Sequence, residues 1–329
     1  MRYSIIVPVY NRPDEVAELL ESLTQQRVGD FEVVIVEDGS SVPCQAVCDR
    51  YADRLPLHYF CKENGGPGPA RNYGAERAQG EWLIILDSDV VLPPGYLAAI
   101  GEEIDGEDCD AFGGPDRAHP SFTPVQKAIN YAMTSFFTTG GIRGGKKKLD
   151  KFYPRSFNMG IRAAAYKALG GFSPMRFGED IDLSTRIFKA GYRCRLFPEA
   201  WVWHKRRTDL RKFFKQVHNS GIARIHLTVR HPGTLKLVHL LPAAFTVGCV
   251  VLLLGGLLSP WLWLPLAAYA LLVLADAAIN ERSVLVGVLA VAASFVQLTG
   301  YGTGFLRAAW RRYVLRSGEF EAFKKSFYE

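Results

Sequence analysis

From 235 to 306 the chain is mostly Leu, Val, Ala, Gly and aromatic residues, with few charges. Three apolar segments can be drawn inside it, Leu237–Leu258, Trp261–Ile279 and Val284–Leu306, and each approaches the ~20 residues that cross a bilayer. Buried helices of a large soluble core are the alternative, and so long a run with so few charges disfavours them. Two topologies stay open. Three spans would put the basic tail, 307–329, with Arg307, Arg311, Arg312, Arg316, Lys324 and Lys325, outside, against the positive-inside tendency. Two spans plus one in-plane or re-entrant segment would keep it inside.

The first 230 residues read differently, with charges interleaved among short apolar runs, so a boundary is expected near 230–236. Strand-like runs at Tyr3–Val9, Phe31–Val36, Leu57–Cys61 and Trp82–Leu86 alternate with helical spacing at Pro13–Gln26, Gln45–Ala52 and Ala70–Ala78. Further strands are expected at Phe157–Ile161 and Trp201–Trp203, and a helix at Ile181–Ala190. Alternating β and α elements with apolar strands predict a mainly parallel sheet with helices on both faces. Ligands then bind beyond the carboxyl ends of the strands. Residues 210–230 form a basic amphipathic pattern, apolar at Phe213, Phe214, Val217 and Ile222, that suits a membrane surface.

The net charge of +6 matters less than its placement. Basic residues gather in Arg143–Lys151 and again from Lys205 to Arg230, directly before the apolar region, which suits anionic headgroups on a cytoplasmic flank. No recognised nucleic-acid motif accompanies them, so nucleic acid is not an expected partner. Met1-Arg2-Tyr3 leads straight into a strand-like run without the features of a secretory signal, and the six cysteines form no CxxC pair. The expectation is free thiols in a cytoplasmic domain, held by a multi-pass anchor in the inner (plasma) membrane.

Polar motifs follow each strand. Pro8-Val9-Tyr10-Asn11 ends the first and Glu37-Asp38-Gly39-Ser40 the second. An acid at a strand end can accept hydrogen bonds from a base or ribose, and a following Gly permits close approach. Asn64-Gly65-Gly66-Pro67-Gly68-Pro69-Ala70-Arg71-Asn72 is a glycine-rich loop entering a helix, where backbone amides and the Arg71 guanidinium suit phosphate. Asp87-Ser88-Asp89 follows the fourth strand, and two carboxylates so spaced can share a divalent cation such as Mg²⁺ or Mn²⁺ with a diphosphate. Alone, any acidic turn matches that pattern.

The ordered set PVYN at 8–11, VEDGS at 36–40, NGGPGPARN at 64–72, LDSDV at 86–90, FNMGIR at 157–162 and GEDIDLSTR at 178–186 resembles the family-2 inverting glycosyltransferases of GT-A fold over about residues 1–220. The resemblance implies a GT-A (Rossmann-like) α/β domain that takes a nucleotide-sugar donor, usually a UDP-sugar, with an α-helical membrane region after it. It implies nucleotide-sugar contacts from Pro8, Tyr10, Asn11, Asp38, Asn64, Gly65, Arg71, Asp87 and Ser88, and metal binding by Asp89. It further implies Asp180, beside Glu179, as catalytic base, His204 as a metal or diphosphate contact, and sugar contacts from Asn158, Met159, Gly160 and Trp203. Without the family, Glu179 and Asp180 read as acids at a helix start, stabilised by its dipole, and His204 as a structural histidine.

The sequence also departs from that pattern. Where polymerising members carry QxxRW, this chain has Gln216-Val217-His218-Asn219-Ser220 and on to Arg224, which together with so few apolar segments favours a single-sugar transferase, while the GEDIDLSTR segment favours a hydroxyl acceptor on a lipid-linked or other membrane-associated glycan. Glu37 stands where Asp is common, leaving guanosine and thymidine donors open beside uridine. A polyprenyl-phosphate glycosyltransferase, whose anionic acceptor needs no base, and a catalytically silent sugar-nucleotide-binding subunit are the competing readings.

Overall fold

The computed structural model describes residues 1–140 and 152–318, which form two compact units. The first holds 1–117 and 152–205. Its main sheet is built on β1 (Tyr3–Val9), β2 (Phe31–Asp38), β3 (Leu57–Lys62) and β4 (Trp82–Leu86), four parallel strands in the order β3-β2-β1-β4. With β5 (Val90–Val91), β6 (Ala111–Gly113), β7 (Asp116–Arg117), β8 (Asn158–Arg162), β9 (Cys194–Leu196) and β10 (Val202–His204) numbered along the chain, the sheet continues through β8, β6 and β9. Strand β8 runs antiparallel to both neighbours.

The apolar strands feed two cores because successive side chains point to opposite faces. Ile5, Val7 and Val9 pack with Val33, Ile35, Ile84, Leu19 and Leu20, against α1 (Pro13–Thr24), α2 (Gln45–Asp49) and α4 (Tyr96–Gly106). Ile6, Val34, Val36 and Ile85 pack on the other face with Ala70, Tyr166, Leu183 and Ile187, from α3 (Pro67–Ala75), α7 (Ala163–Ala168) and α8 (Glu179–Lys189). Each fully buried aliphatic side chain contributes about 1.5–3 kcal/mol. Helix α3 starts at Pro67, three residues before the expected Ala70, because proline fits a first helical turn whose N–H groups lack intrahelical partners anyway. A second, three-stranded sheet in the order β5-β10-β7 was not expected, since its strands are two or three residues long.

The second unit holds 118–140 and 206–318. Its helices are α5 (Pro124–Thr134), α6 (Phe136–Thr139), α9 (Leu210–Arg230), α10 (Leu241–Gly255), α11 (Leu264–Asn280) and α12 (Val284–Ala309). Three helical segments, Leu237–Gly255, Pro260–Asn280 and Val284–Val314, are long and apolar enough to cross a membrane. Their outward faces are rich in exposed leucine and valine, as at Val251, Leu254, Leu271 and Val284.

Helix α9 falls on this side of the division, not with the sheet as a boundary near 230 implied. It buries Phe213, Val217, Ile222, Ile225 and Leu227, and it lies close along α12 because both helices carry glycine where they meet. A Cβ at Gly221 would strike the Tyr301 carbonyl, and one at Gly304 the His218 carbonyl. On another side of α12, Gly302 lies against Pro242 and Thr246 of α10. Small residues that let backbones approach are the usual basis of helix association in lipid. The expected amphipathic helix therefore exists, with Arg211, Lys212 and Lys215 exposed; of its expected apolar face Phe213, Val217 and Ile222 are buried and Phe214 is exposed. The basic run Arg143–Lys151 and residues 319–329 of the tail lie outside the described residues.

Candidate functional site

The carboxyl end of β4 leads directly into Asp87-Ser88-Asp89, and the small second sheet gathers further groups around it. Strand β10 pairs antiparallel with β5, setting His204 opposite Val90, one residue after Asp89. The same strand pairs with β7, setting Val202 opposite Asp116. His204 Nε2 lies 3.2 Å from Asp89 Oδ1 and its Nδ1 lies 3.8 Å from Asp116 Oδ2. The imidazole stacks on Phe157 at a centroid distance of 4.7 Å, which fixes its plane. Asp87, Asp89 and His204 present ligand atoms within 4.8 Å of one another. Two carboxylates and an imidazole are a donor set that fits one divalent cation.

Arg71 joins this cluster to the acidic pair at the start of α8. Its guanidinium is buried, donating from Nη2 to Asp87 Oδ1 at 2.7 Å and from Nη1 to Glu179 Oε1 at 2.9 Å, with its Cζ 5.1 Å from the Phe172 ring centroid. Burial opposes its charge, but Asp87 and Glu179 outweigh that effect and raise its pKa. Burial also pushes the Glu179 carboxyl up to about 7; Arg71 resists the shift and neighbouring Asp180 adds to it. Asp180 accepts from the Ile181 amide at 2.8 Å and faces Arg155 at 3.2 Å.

At the other strand ends, Asp38 organises the glycine-rich loop. Its carboxylate accepts from the Gly65 and Gly66 amides at 2.9 and 2.7 Å and from Lys62 Nζ at 2.8 Å, while Asn64 Nδ2 donates to the Asp38 carbonyl. Gly39, at φ +71°, leaves room for Asn64, and Gly66, at φ +92°, turns the chain into α3. Asn11 accepts from the Val42 amide at 2.9 Å through Oδ1, and its own amide donates to Ser40 Oγ at 2.7 Å. Pro8, Tyr10, Asn11, Asn64, Gly65, Asp87 and Ser88 are half-buried, whereas Asp38 and Arg71 are buried.

Three expected sugar contacts lie inside the sheet. Asn158, Met159 and Gly160 are buried. Asn158 donates to the Ala200 carbonyl and accepts from Tyr96 Oη, Met159 sits in the sheet core, and a Cβ at Gly160 would strike the Phe112 ring. These residues build the strand beside β4. Trp203 is half-buried beside Trp201, at a ring distance of 4.8 Å. Sequence reasoning missed Asp116, Arg155 and Lys62, each a charged partner of a predicted residue. Asp116 directly follows Gly113-Gly114-Pro115, a turn-rich strand end like those that flagged Asp38, and that signal could have found it.

The model of Glycosyl transferase family 2 matches residues 4–170. The chain belongs to this family. Among curated relatives of this glycosyltransferase is the pre-mycofactocin glycosyltransferase of Mycobacterium tuberculosis (strain CDC 1551 / Oshkosh), 29% identical over 70% of the chain and 48% of the relative. The chain thus spans about half the length of that protein. Mannosyltransferase PcManGT from Pyrobaculum calidifontis, solved with GDP-Man and Mn²⁺, superposes with a TM-score of 0.67 at 18% identity, covering 94% of this chain and 88% of that one. S. aureus TarS 1-349, solved with UDP-GlcNAc, gives 0.51 at 20% identity, covering 95% and 92%. At such identities the likeness is one of fold, and it establishes the mainly parallel GT-A-like sheet for this family 2 glycosyltransferase.

Proposed function

We propose that this family 2 enzyme is a membrane-anchored inverting transferase. In this reading it moves a sugar from a nucleotide-sugar donor, preferentially a UDP-sugar, to a hydroxyl of a lipid-linked or other membrane-associated glycan, with its sheet domain in the cytoplasm. The observation that carries the reading is Arg71, one buried guanidinium bonded both to Asp87 of the DxD turn and to Glu179 of the acidic pair. It couples the groups suited to a diphosphate to those suited to an acceptor.

Asp87, Asp89 and His204 would hold a divalent cation, Mn²⁺ or Mg²⁺, which when bound neutralises charge growing on the leaving diphosphate. The rest of the chemistry belongs to the chain. Asp38 and Asn64 shape the loop beyond β2 that receives the nucleobase and ribose, with Pro8, Tyr10 and Asn11 lining it. Ser88 and Gly65 lie at neighbouring strand ends, and Trp203 offers an aromatic face to a sugar. Asp180 takes the proton of the acceptor hydroxyl as it attacks the anomeric carbon from the face opposite the diphosphate. The half-exposed Arg155 holds that carboxylate in place. Glu179 is committed to Arg71, so it serves as a positioning residue, with Asp180 left for the proton.

The relatives support a donor of this class: TarS is solved with UDP-GlcNAc and PcManGT with GDP-Man and Mn²⁺. The three membrane-length helices support the anchor. The test is nucleoside diphosphate release by detergent-purified protein from a panel of nucleotide sugars, with Mn²⁺ or Mg²⁺, with and without membrane lipid extract. Metal-dependent, lipid-stimulated release that Asp180→Asn abolishes supports the reading. A fully active Asp180→Asn variant moves the polyprenyl-phosphate acceptor ahead, because a phosphate needs no base.

A further inference from the structure

Residues 118–140 lie in sequence between β7 and β8 of the sheet unit, yet they pack with the apolar helices. No segment there is long enough to be read as a membrane span. Helix α5 buries Ala128, Ile129, Ala132 and Met133 in one cluster with Val273 and Ala277 of α11 and Val286, Ala290 and Ala293 of α12. Two polar contacts fix its position along α11. Tyr131 Oη donates to Asp276 Oδ2 at 2.6 Å, and six residues later Tyr269 Oη donates to the Phe137 carbonyl at 3.2 Å.

Asp276 lies one turn from the end of α11, beside Asn280, Glu281 and Arg282. Tyr269 is seven residues deeper along that helix, about 10 Å at 1.5 Å per residue. The α5–α6 segment therefore runs down α11 from its polar end toward its apolar middle, with Phe136 and Phe137 at the end of that descent.

That end has the two properties that hydrocarbon demands. Its aromatic side chains are turned outward, with Phe136 71% exposed and Phe137 39% exposed. Its hydroxyls are turned inward. Thr134 donates to the Asn130 carbonyl, Thr138 to those of Ala132 and Ser135, Thr139 to those of Met133 and Ser135, and Ser135 Oγ accepts from the Phe137 amide. Water would satisfy such groups at a surface. In lipid they must be satisfied within the chain, as these are.

We propose that α5–α6 is a wedge inserted into the bilayer, its Phe136–Phe137 pair in contact with acyl chains. The inference rests on the membrane-anchored reading and adds a lipid contact made by a segment from within the catalytic sequence.

The test reconstitutes the full chain, carrying Cys61→Ser to remove the exposed native thiol, in phosphatidylcholine vesicles containing some phosphatidylglycerol. Single cysteines at Phe136, at Leu271 on the exposed face of α11 and at Asp53 in the sheet unit are labelled with an environment-sensitive fluorophore. The same chain without an added cysteine serves as blank. Doxyl-labelled phosphatidylcholine is expected to quench the Phe136→Cys label at least half as strongly as the Leu271→Cys label, and to leave the Asp53→Cys label unchanged. Quenching at Leu271 without quenching at Phe136 overturns the wedge and leaves the anchor standing. A Phe136 label shielded from both lipid quencher and aqueous iodide, and released on dilution of protein in lipid, overturns it in favour of contact with a second copy. No quenching at Leu271 overturns the anchor, and the wedge with it.

Discussion

The two units handle polar groups in opposite ways. In the sheet unit, charges converge: Arg71, Asp87, Glu179 and Asp180 neighbour one another through direct ion pairs or adjacency, and Asp89, His204 and Asp116 form a second set beside them. In the helical unit hydroxyls are returned to carbonyls of their own helix, at buried Thr246 and at half-buried Thr299 and Thr303, and close packing comes from glycine. A charge network is costly to bury and worth keeping where it must meet a charged ligand. Glycine and back-bonded hydroxyls cost little and suit a region with few charges to pair. The comparison predicts that the sheet unit fails when a charge is removed and the helical unit when bulk is added.

The largest effect is expected at Arg71. Arg71→Met leaves Asp87 and Glu179 facing each other without their shared cation, and breaking a buried pair costs about 3–5 kcal/mol. Thermal or denaturant unfolding of the detergent-solubilised chain measures it, and a loss under 1 kcal/mol would mean the network is not structural. Asp89→Ala should retain the fold while lowering turnover about 100- to 1,000-fold, the scale of losing one group that stabilises transition-state charge. In the helical unit, Gly304→Leu forces α9 from α12 and should cost about 1–3 kcal/mol as overpacking. A neutral result would show that the helices separate freely.

A smaller effect should appear with pH. Glu179 is harder to ionise folded, at about 7, than its ordinary value of 4.5, so the folded state holds the extra proton between those values. Its contribution is fully present below pH 4.5 and declines as pH rises to about 7. Stability of the wild type should fall across that window relative to Glu179→Gln, followed by unfolding midpoints at a series of pH values. Parallel profiles would sink the burial argument for Glu179.

Much of the sheet unit was legible because apolar runs such as Tyr3–Val9 and Trp82–Leu86 are too short and β-rich to be anything but buried strands. The DxD turn was legible for the same reason, since polar residues directly after such a strand must lie at its carboxyl end. Partners brought in from afar were not. Asp116 meets His204 through two-residue β7, and Arg155 reaches Asp180 from a loop, neither of which leaves a periodic trace. Asn158, Met159 and Gly160 stand in a recognisable motif, but their burial on both faces depends on β8 lying between β4 and β6. The apolar helices announced themselves by composition. Helix α5 did not, because its apolar face, Ala128, Ile129, Ala132 and Met133, is that of an ordinary soluble helix and only its packing partners are unusual.

The central claim is that Asp87, Asp89 and His204 join a divalent cation to the donor's diphosphate. Calorimetric titration of UDP into the purified chain, with and without Mn²⁺, tests it without requiring turnover. The account predicts that Mn²⁺ tightens UDP binding in the wild type and that Asp89→Ala abolishes the gain while leaving metal-free binding unchanged. Equal tightening in the wild type and the variant would contradict it.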